Sequence, residues 1–88
     1  MTNLKIASYQ TPAVGVTGAW IPQLVDATRI IIRAHIRKGR DFILLDDLYE
    51  TVGAENEDEK CSVRNGVRFA KADGEIVKTA DKGLYRIL

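Results

Sequence analysis

Residues 60–88 read KCSVRNGVRFAKADGEIVKTADKGLYRIL, and this stretch decides the fold. Within residues 60–73, small and apolar side chains recur at spacings of three and four, as on the buried face of a helix. This inward stripe consists of Val63, Gly66, Val67 and Ala70. Gly74 then ends the helix, and residues 75–88 alternate as a hairpin with its turn at 80–83. The stretch therefore predicts a helix followed by a β-hairpin.

Two further helices and a short strand are predicted upstream. Pro22 opens a helix whose apolar residues again recur at spacings of three and four. Residues 41–43 are long enough for a short strand, and residues 44–52 form an amphipathic helix that Gly53 closes. Residues 54–59 read as a polar, acidic turn.

The order of these elements resembles a winged helix-turn-helix domain. In that family a recognition helix stops at a glycine, a hydrophobic strand follows, and a basic turn leads to a closing strand like Gly83-Leu84-Tyr85-Arg86-Ile87. The resemblance covers residues 21–88 and is one of pattern, so it names a superfamily rather than a protein. It implies an α+β fold with three helices and a C-terminal hairpin as the wing. It also implies that the helix at 60–73 enters the major groove of double-stranded DNA.

An alternative interpretation of the same residues stays open. Asn65-Gly66 between alternating residues is the strongest short-range signal for a two-residue hairpin turn. In a helix, Gly66 costs about 1 kcal/mol relative to alanine, although a small inward residue also lets two helices approach closely. The helix is favoured because helix, Gly74 stop and hairpin then follow one another in the order that the resemblance implies.

Residues 1–20 form a predicted N-terminal extended arm. Short alternating segments favour strands or extended chain, and the arm is too apolar to be a free tail. Its main apolar residues are Leu4, Ile6, Val14, Val16 and Trp20. We expect the arm to pack on the domain's own core or on a second copy of the chain, which makes a homodimer one of the expected states.

The net charge of +1 conceals a segregation of charge along the chain. Residues 29–40 carry five Lys or Arg and no acid, whereas residues 41–59 carry eight acids and no Lys or Arg. Residues 60–88 carry seven bases against three acids. Such blocks steer an anionic partner to one face of a protein and repel it from another.

The cations of residues 60–88 supply the expected DNA-binding residues. On the helix, Arg64, Arg68 and Lys71 lie within an arc of about 60°, opposite the apolar stripe. Arg suits bidentate contact with guanine and Asn with adenine, so Asn65 beside them joins the set. The hairpin adds Lys78, Lys82 and Arg86, which we expect to contact phosphates. Of the strand residues, Ile76, Tyr85 and Ile87 are expected to face the core, and Lys78 and Arg86 to point outward.

The sequence therefore predicts a non-enzymatic DNA-binding protein, in the manner of a small transcriptional regulator. The alternative is a protein-interaction adaptor or inhibitor on the same scaffold, because a net charge of +1 is low for a committed DNA binder. It would bind a protein partner through the acidic surface at 46–59 or through an arginine ridge on the first helix. The candidate residues are Asp46, Asp47 and Glu50 on the first surface and Arg29, Arg33 and Arg37 on the second.

Catalysis and cofactor binding have little support in the sequence. His35 is the only histidine and Cys61 the only cysteine, so neither builds a zinc site alone. The acids at 46–59 lack the alternating oxygens of a calcium loop, so we expect no metal and no cofactor. A single cysteine fits a reducing cytosol, and no apolar run approaches the roughly 20 residues that span a bilayer. A cytoplasmic protein without membrane contact is expected.

Overall fold

A computed structural model of the chain describes residues 18–88. These residues form a small α+β domain with three helices and a three-stranded antiparallel sheet. The elements in chain order are α1 (Pro22–Arg37), β1 (Phe42–Leu44), α2 (Leu45–Val52), α3 (Glu57–Ala72), β2 (Ile76–Lys78) and β3 (Leu84–Ile87). Strand β3 lies between β1 and β2. The predicted succession of helices, strand and hairpin is confirmed, whereas the expected packing of residues 1–17 lies outside the described residues.

One hydrophobic core joins the three helices to the inner face of the sheet. Each helix turns apolar side chains inward at the spacing expected from the sequence. The core residues are Ile32, Ile43, Leu48, Ala54, Val63, Val67, Ala70 and Ile76. Helix α1 packs mainly on α3, and the stripe predicted on α3 is buried as expected.

Helix α3 begins at Glu57, earlier than the predicted start at residue 60. Asn56 is its N-cap: the Asn56 side chain accepts a hydrogen bond from the backbone N–H of Glu59 at 2.9 Å. The Glu59 carboxylate in turn accepts one from the N–H of Asn56 at 3.3 Å. This reciprocal capping box satisfies amides that a helix start leaves unpaired. The acids predicted to form a turn are therefore the first turn of α3, where the helix dipole favours negative charge.

Asn65-Gly66 lies inside α3, which excludes the alternative hairpin. A Cβ atom at Gly66 would lie 2.8 Å from Thr28 Cβ and 3.1 Å from the Val25 carbonyl oxygen. The backbones of α1 and α3 thus approach each other more closely than a larger residue would allow. Gly66 is a contact between helices rather than part of a turn, and the predicted stop at Gly74 is confirmed by its φ of +78°.

The hairpin strands pair antiparallel, with Ile76 opposite Ile87 and Lys78 opposite Tyr85. Ile76 is buried, and Tyr85 and Ile87 pack against the core, as predicted. Lys78 and Arg86 are both exposed, as expected, but they do not point to the same side of the sheet. Side chains alternate along a strand, so Lys78 shares the inner face with Ile76 while Arg86 lies on the outer face.

The segment just before α1 lies against α3. The Asn65 side chain donates a hydrogen bond to the Ala19 carbonyl oxygen at 3.0 Å, and the Ile21 amide donates one to Ser62 Oγ at 2.9 Å. Trp20 packs edge-on against the Phe69 ring of α3, with ring centroids 5.6 Å apart. The described end of the arm therefore packs on its own domain.

Candidate nucleic-acid interface

A cleft of about 580 Å³ lies between α3, the start of α2 and the hairpin turn. Three cations line it: Arg64 from α3, Lys78 from the end of β2 and Lys82 from the turn. Tyr49 and Tyr85 also line the cleft. The structure thus brings one predicted DNA-binding residue of the helix together with two of the hairpin. Cations beside aromatic rings are suited to contact both the phosphates and the base faces of a nucleic acid.

Two further cations of α3 border the cleft through its tyrosines. Lys71 Nζ lies 5.9 Å from the centre of the Tyr85 ring, and Lys60 Nζ lies 5.5 Å from that of Tyr49. At these distances an ammonium group is attracted to the ring face. Burial, and then the neighbouring Tyr49, raise the pKa of Tyr85, while Arg68 lowers it. Tyr85 therefore remains a neutral phenol at physiological pH and can donate a hydrogen bond to a phosphate.

Arg64 is held in place by three groups of its own domain. Its Nη1 donates a hydrogen bond to the Tyr49 hydroxyl at 3.0 Å. Its Nη2 donates to the Glu57 carboxylate, and to Cys61 Sγ at 3.1 Å. The hydrogen bonds to Tyr49 and Glu57 raise the pKa of Arg64, so the guanidinium is always charged. A nucleic acid that bound it bidentately would have to displace Glu57.

Asn65 cannot contact a base, because its side chain is fully buried. Besides donating to the Ala19 carbonyl oxygen, the side chain accepts a hydrogen bond from Arg68 Nη1 at 3.0 Å. The expected adenine contact is therefore withdrawn. Arg68 itself is half-buried and lies close enough to Tyr85 to influence its pKa, so it lies beside the cleft without lining it.

Arg86 does not belong to the cleft either. In the sheet it lies opposite Phe42 of β1 and Val77 of β2, and all three side chains are exposed. This outer face is turned away from the side that Tyr85 and Lys78 share. Arg86 is therefore removed from the set of residues that could contact the same nucleic acid as α3.

The arginine ridge expected on α1 is largely occupied by contacts within the domain. Arg29 forms ion pairs with Asp73 and Glu75, and Arg33 Nε lies 3.2 Å from a Glu75 carboxylate oxygen. These pairs fasten α1 to the junction between α3 and β2. Of the three ridge arginines, only Arg37, in the last turn of α1, is exposed and forms no ion pair within residues 18–88. The ridge is thus a weaker docking surface than the sequence suggested.

The acidic surface is divided between two concavities. Asp46 lines the cleft described above, whereas Asp47 and Glu50 line a second cavity of about 370 Å³ between α1, β1 and α2. His35 and Arg40 also line this second cavity. The three acids therefore do not present one continuous surface to a single partner.

His35 in the second cavity has a lowered pKa. Burial is the main cause, the charges of Arg40 and Lys38 add to it, and Asp47 opposes it. Its Nδ1 is buried and has no hydrogen-bond partner among residues 18–88. Protonation would therefore add an unpaired charge beside two cations.

We expect this histidine to make stability depend on pH. The unfolded chain titrates near the ordinary value of 6.5 and the folded chain below it, so the unfolded state binds the proton first. Stability is then complete above the unfolded-state pKa and falls as pH is lowered through it toward the folded-state pKa. Urea midpoints measured from about pH 8 to 5 should fall more steeply for wild type than for His35→Gln. The carboxylates titrate in both proteins, so only the difference between the two curves of urea midpoint against pH reports on His35. Parallel curves would contradict this expectation.

Tyr49 is a site residue that sequence reasoning missed. It falls on the apolar stripe of the helix predicted at 44–52, and nothing in the local pattern indicates that its hydroxyl reaches Arg64 on the next helix. Tyr85 was expected only in the core, although a strand that pairs it with Lys78 predicts that both reach the same side.

Comparisons with known proteins add no family to this description. The chain matches no protein-family model, and no curated protein or solved structure matches it significantly. Among residues 18–88, no group of three or more His, Cys, Asp or Glu side chains is arranged to hold a metal ion. In the same range, every helix is too short or too polar to cross a membrane.

Proposed function

We propose that this chain is a non-enzymatic double-stranded DNA-binding protein on a winged helix-turn-helix scaffold, acting as a small transcriptional regulator in the cytoplasm. Two features of the fold support the scaffold. The elements follow the order helix, strand, helix, helix, strand, strand, and β3 lies between β1 and β2. In this proposal α3 is the recognition helix and the turn between β2 and β3 is the wing.

The convergence of cations on the cleft carries the proposal. Arg64 from α3, Lys78 from β2 and Lys82 from the turn line one concavity, although up to 18 positions separate them in sequence. A duplex that lies along the cleft would meet α3 in a groove and the turn at its backbone. Arg68 and Lys71 border the same site and are the candidates for groove contact, whereas Lys78 and Lys82 are the candidates for phosphate contact.

The alternative is a protein-binding adaptor or inhibitor on the same scaffold. The occupied state of Arg64 and the presence of Asp46 in the cleft favour it, as does the net charge of +1. An adaptor of this kind would bind through Asp47 and Glu50 of α2, which lie outside the cleft, or through Arg37.

Two variants are expected to impair DNA binding in different ways. Arg68→Ala should lose discrimination between sequences by roughly 1–3 kcal/mol, the value of a bidentate base contact. Lys82→Ala should weaken binding to all duplexes alike. It should also make the slope of log affinity against log salt concentration shallower by about one. The measurement is fluorescence anisotropy at several salt concentrations, on random duplexes and on duplexes enriched by selection from a random pool.

The controls separate contact from folding and from general charge. Lys38→Ala removes an exposed cation at the far end of α1, outside the cleft, and should leave affinity almost unchanged. Arg68→Lys keeps the charge but loses the forked donor, so it should resemble Arg68→Ala in specificity. If wild type shows no salt-sensitive duplex binding at low ionic strength, the regulator proposal fails and the adaptor takes its place.

A further inference from the structure

The outer face of the sheet, which we define as Phe42, Leu44, Val77, Leu84, Arg86 and Leu88, is apolar and uncovered by residues 18–88. Strand alternation separates it from the core: Ile43 is 2% exposed, whereas its neighbours Phe42 and Leu44 are 52% and 47% exposed. Val77 on β2 is 42% exposed. Among the described residues, the only other large apolar side chain with comparable exposure is Ile30 on α1. A contiguous patch of this kind marks an interaction surface more often than scattered apolar residues do.

Charges are arranged asymmetrically about this face. Arg86 lies in the central strand, on one side of Phe42 and Leu44. Asp47 and Glu50 lie on the other side, in the cavity at the free edge of β1, where the two carboxylates outnumber the one arginine, Arg40, that also lines it. Within residues 18–88, neither Arg86 nor these two carboxylates forms an ion pair.

We infer that the outer face is the interface of a homodimer, in which Arg86 of each copy lies opposite Asp47 and Glu50 of the other. A two-fold axis that runs along β1, in the plane of the interface, carries each copy's cation onto the other's acids. Phe42 and Leu44 of β1 then meet their counterparts at the axis, whereas Val77 of each copy, two strands away on β2, lies toward the rim. An isologous interface must be complementary to itself in this way. Two reciprocal ion pairs fix the register, and apolar burial supplies most of the attraction.

A second copy suits this face better than the chain's own N-terminal residues do. Residues 1–17 contain one lysine and no aspartate or glutamate, so they offer no partner for Arg86. Covering the face with them would bury that guanidinium beside apolar groups without a counter-charge, which is costly. The second copy supplies both the apolar surface and the acids. This inference is independent of whether the cleft binds DNA.

The test is sedimentation velocity on the full chain over a wide concentration range. Wild type should be a dimer, and Phe42→Lys and Leu44→Lys, both on the strand along the axis, should each raise the dimer dissociation constant at least tenfold. Ile30→Lys, which introduces the same charge at the exposed apolar site on α1, should have no effect. Circular dichroism must show that each variant is folded, and the use of two interface variants keeps the test valid should one of them unfold.

A charge exchange tests the proposed register. Arg86→Glu should weaken the dimer, and the double variant Arg86→Glu with Glu50→Arg should restore at least part of the lost affinity. A wild-type chain that stays monomeric at every concentration would overturn the inference. A dimer that Ile30→Lys disrupts and Phe42→Lys does not would overturn it as well. If wild type is monomeric and deletion of residues 1–17 increases hydrogen exchange at β1 and β2, the arm covers this face instead.

Discussion

Replacing Ile32 by alanine is expected to lower the free energy of unfolding by about 2–5 kcal/mol. Ile32 of α1 is fully buried in the hydrophobic core, so truncation removes apolar contacts and leaves a cavity that a close-packed core fills only in part. A domain of this size has a total stability of roughly 4–13 kcal/mol. The expected loss is therefore a substantial part of the total stability. Denaturant midpoints at one fixed protein concentration would measure the loss.

Ile30 provides a matched control on the same helix. Its side chain is 62% exposed, and Ile30→Ala should change the free energy of unfolding by no more than about 0.5 kcal/mol. The two substitutions delete the same atoms two positions apart, so their difference isolates burial. Equal losses in the two variants would contradict the packing of α1 described above.

Gly66→Leu is expected to destabilise the domain by about 3 kcal/mol. A Cβ atom at this position would already lie 2.8 Å from Thr28 Cβ, and the further carbons of leucine would force α1 away from α3. Ala72→Leu, at an exposed position in the last turn of α3, adds the same side chain without this contact and should be nearly neutral. Thermal unfolding followed by circular dichroism would compare the two.

Gly66→Ala tests whether a single added methyl group at this position stabilises or destabilises the domain. Helix propensity alone would make alanine more stable than glycine by about 1 kcal/mol. The contact with Thr28 predicts the opposite, a net loss of stability, because helix-to-helix overpacking outweighs the propensity gain. A more stable Gly66→Ala variant would show that α1 and α3 can separate at little cost.

Periodicity predicts most of the elements and most of the core, but at residues 60–73 it leaves helix and hairpin open, and there the order of the elements favours the helix. The three-and-four spacing of Val63, Val67 and Ala70 outweighed the hairpin signal of Asn65-Gly66, because a buried stripe stabilises a helix more than one glycine weakens it. The error at the start of α3 was avoidable. Asn56 and Glu59 have the spacing of a capping box, whereas the prediction places the run of acids around them in a turn that precedes the helix.

The candidate site was harder to predict because its residues depend on contacts between distant segments. The side chain of Asn65 looks exposed on a helical wheel, but the segment before α1 covers it through the Ala19 carbonyl oxygen. Similarly, the pairing of Arg64 with Tyr49 joins two helices whose relative position no local pattern specifies. By contrast, strand alternation alone assigns Lys78 and Arg86 to opposite faces, and the sequence prediction did not apply it consistently.

The hydrogen bond from Ile21 to Ser62 makes the segment before α1 part of the same cooperative unit as α3. The Ile21 amide precedes every helix and strand of the described residues, yet the atom that accepts its hydrogen bond belongs to the interior of α3. Solvent reaches that amide only when the segment leaves the helix, and the same event uncovers Asn65. A version of this domain that keeps these contacts therefore begins no later than Ala19, because a chain cut at Pro22 would keep all three helices and lose the backbone that closes over α3.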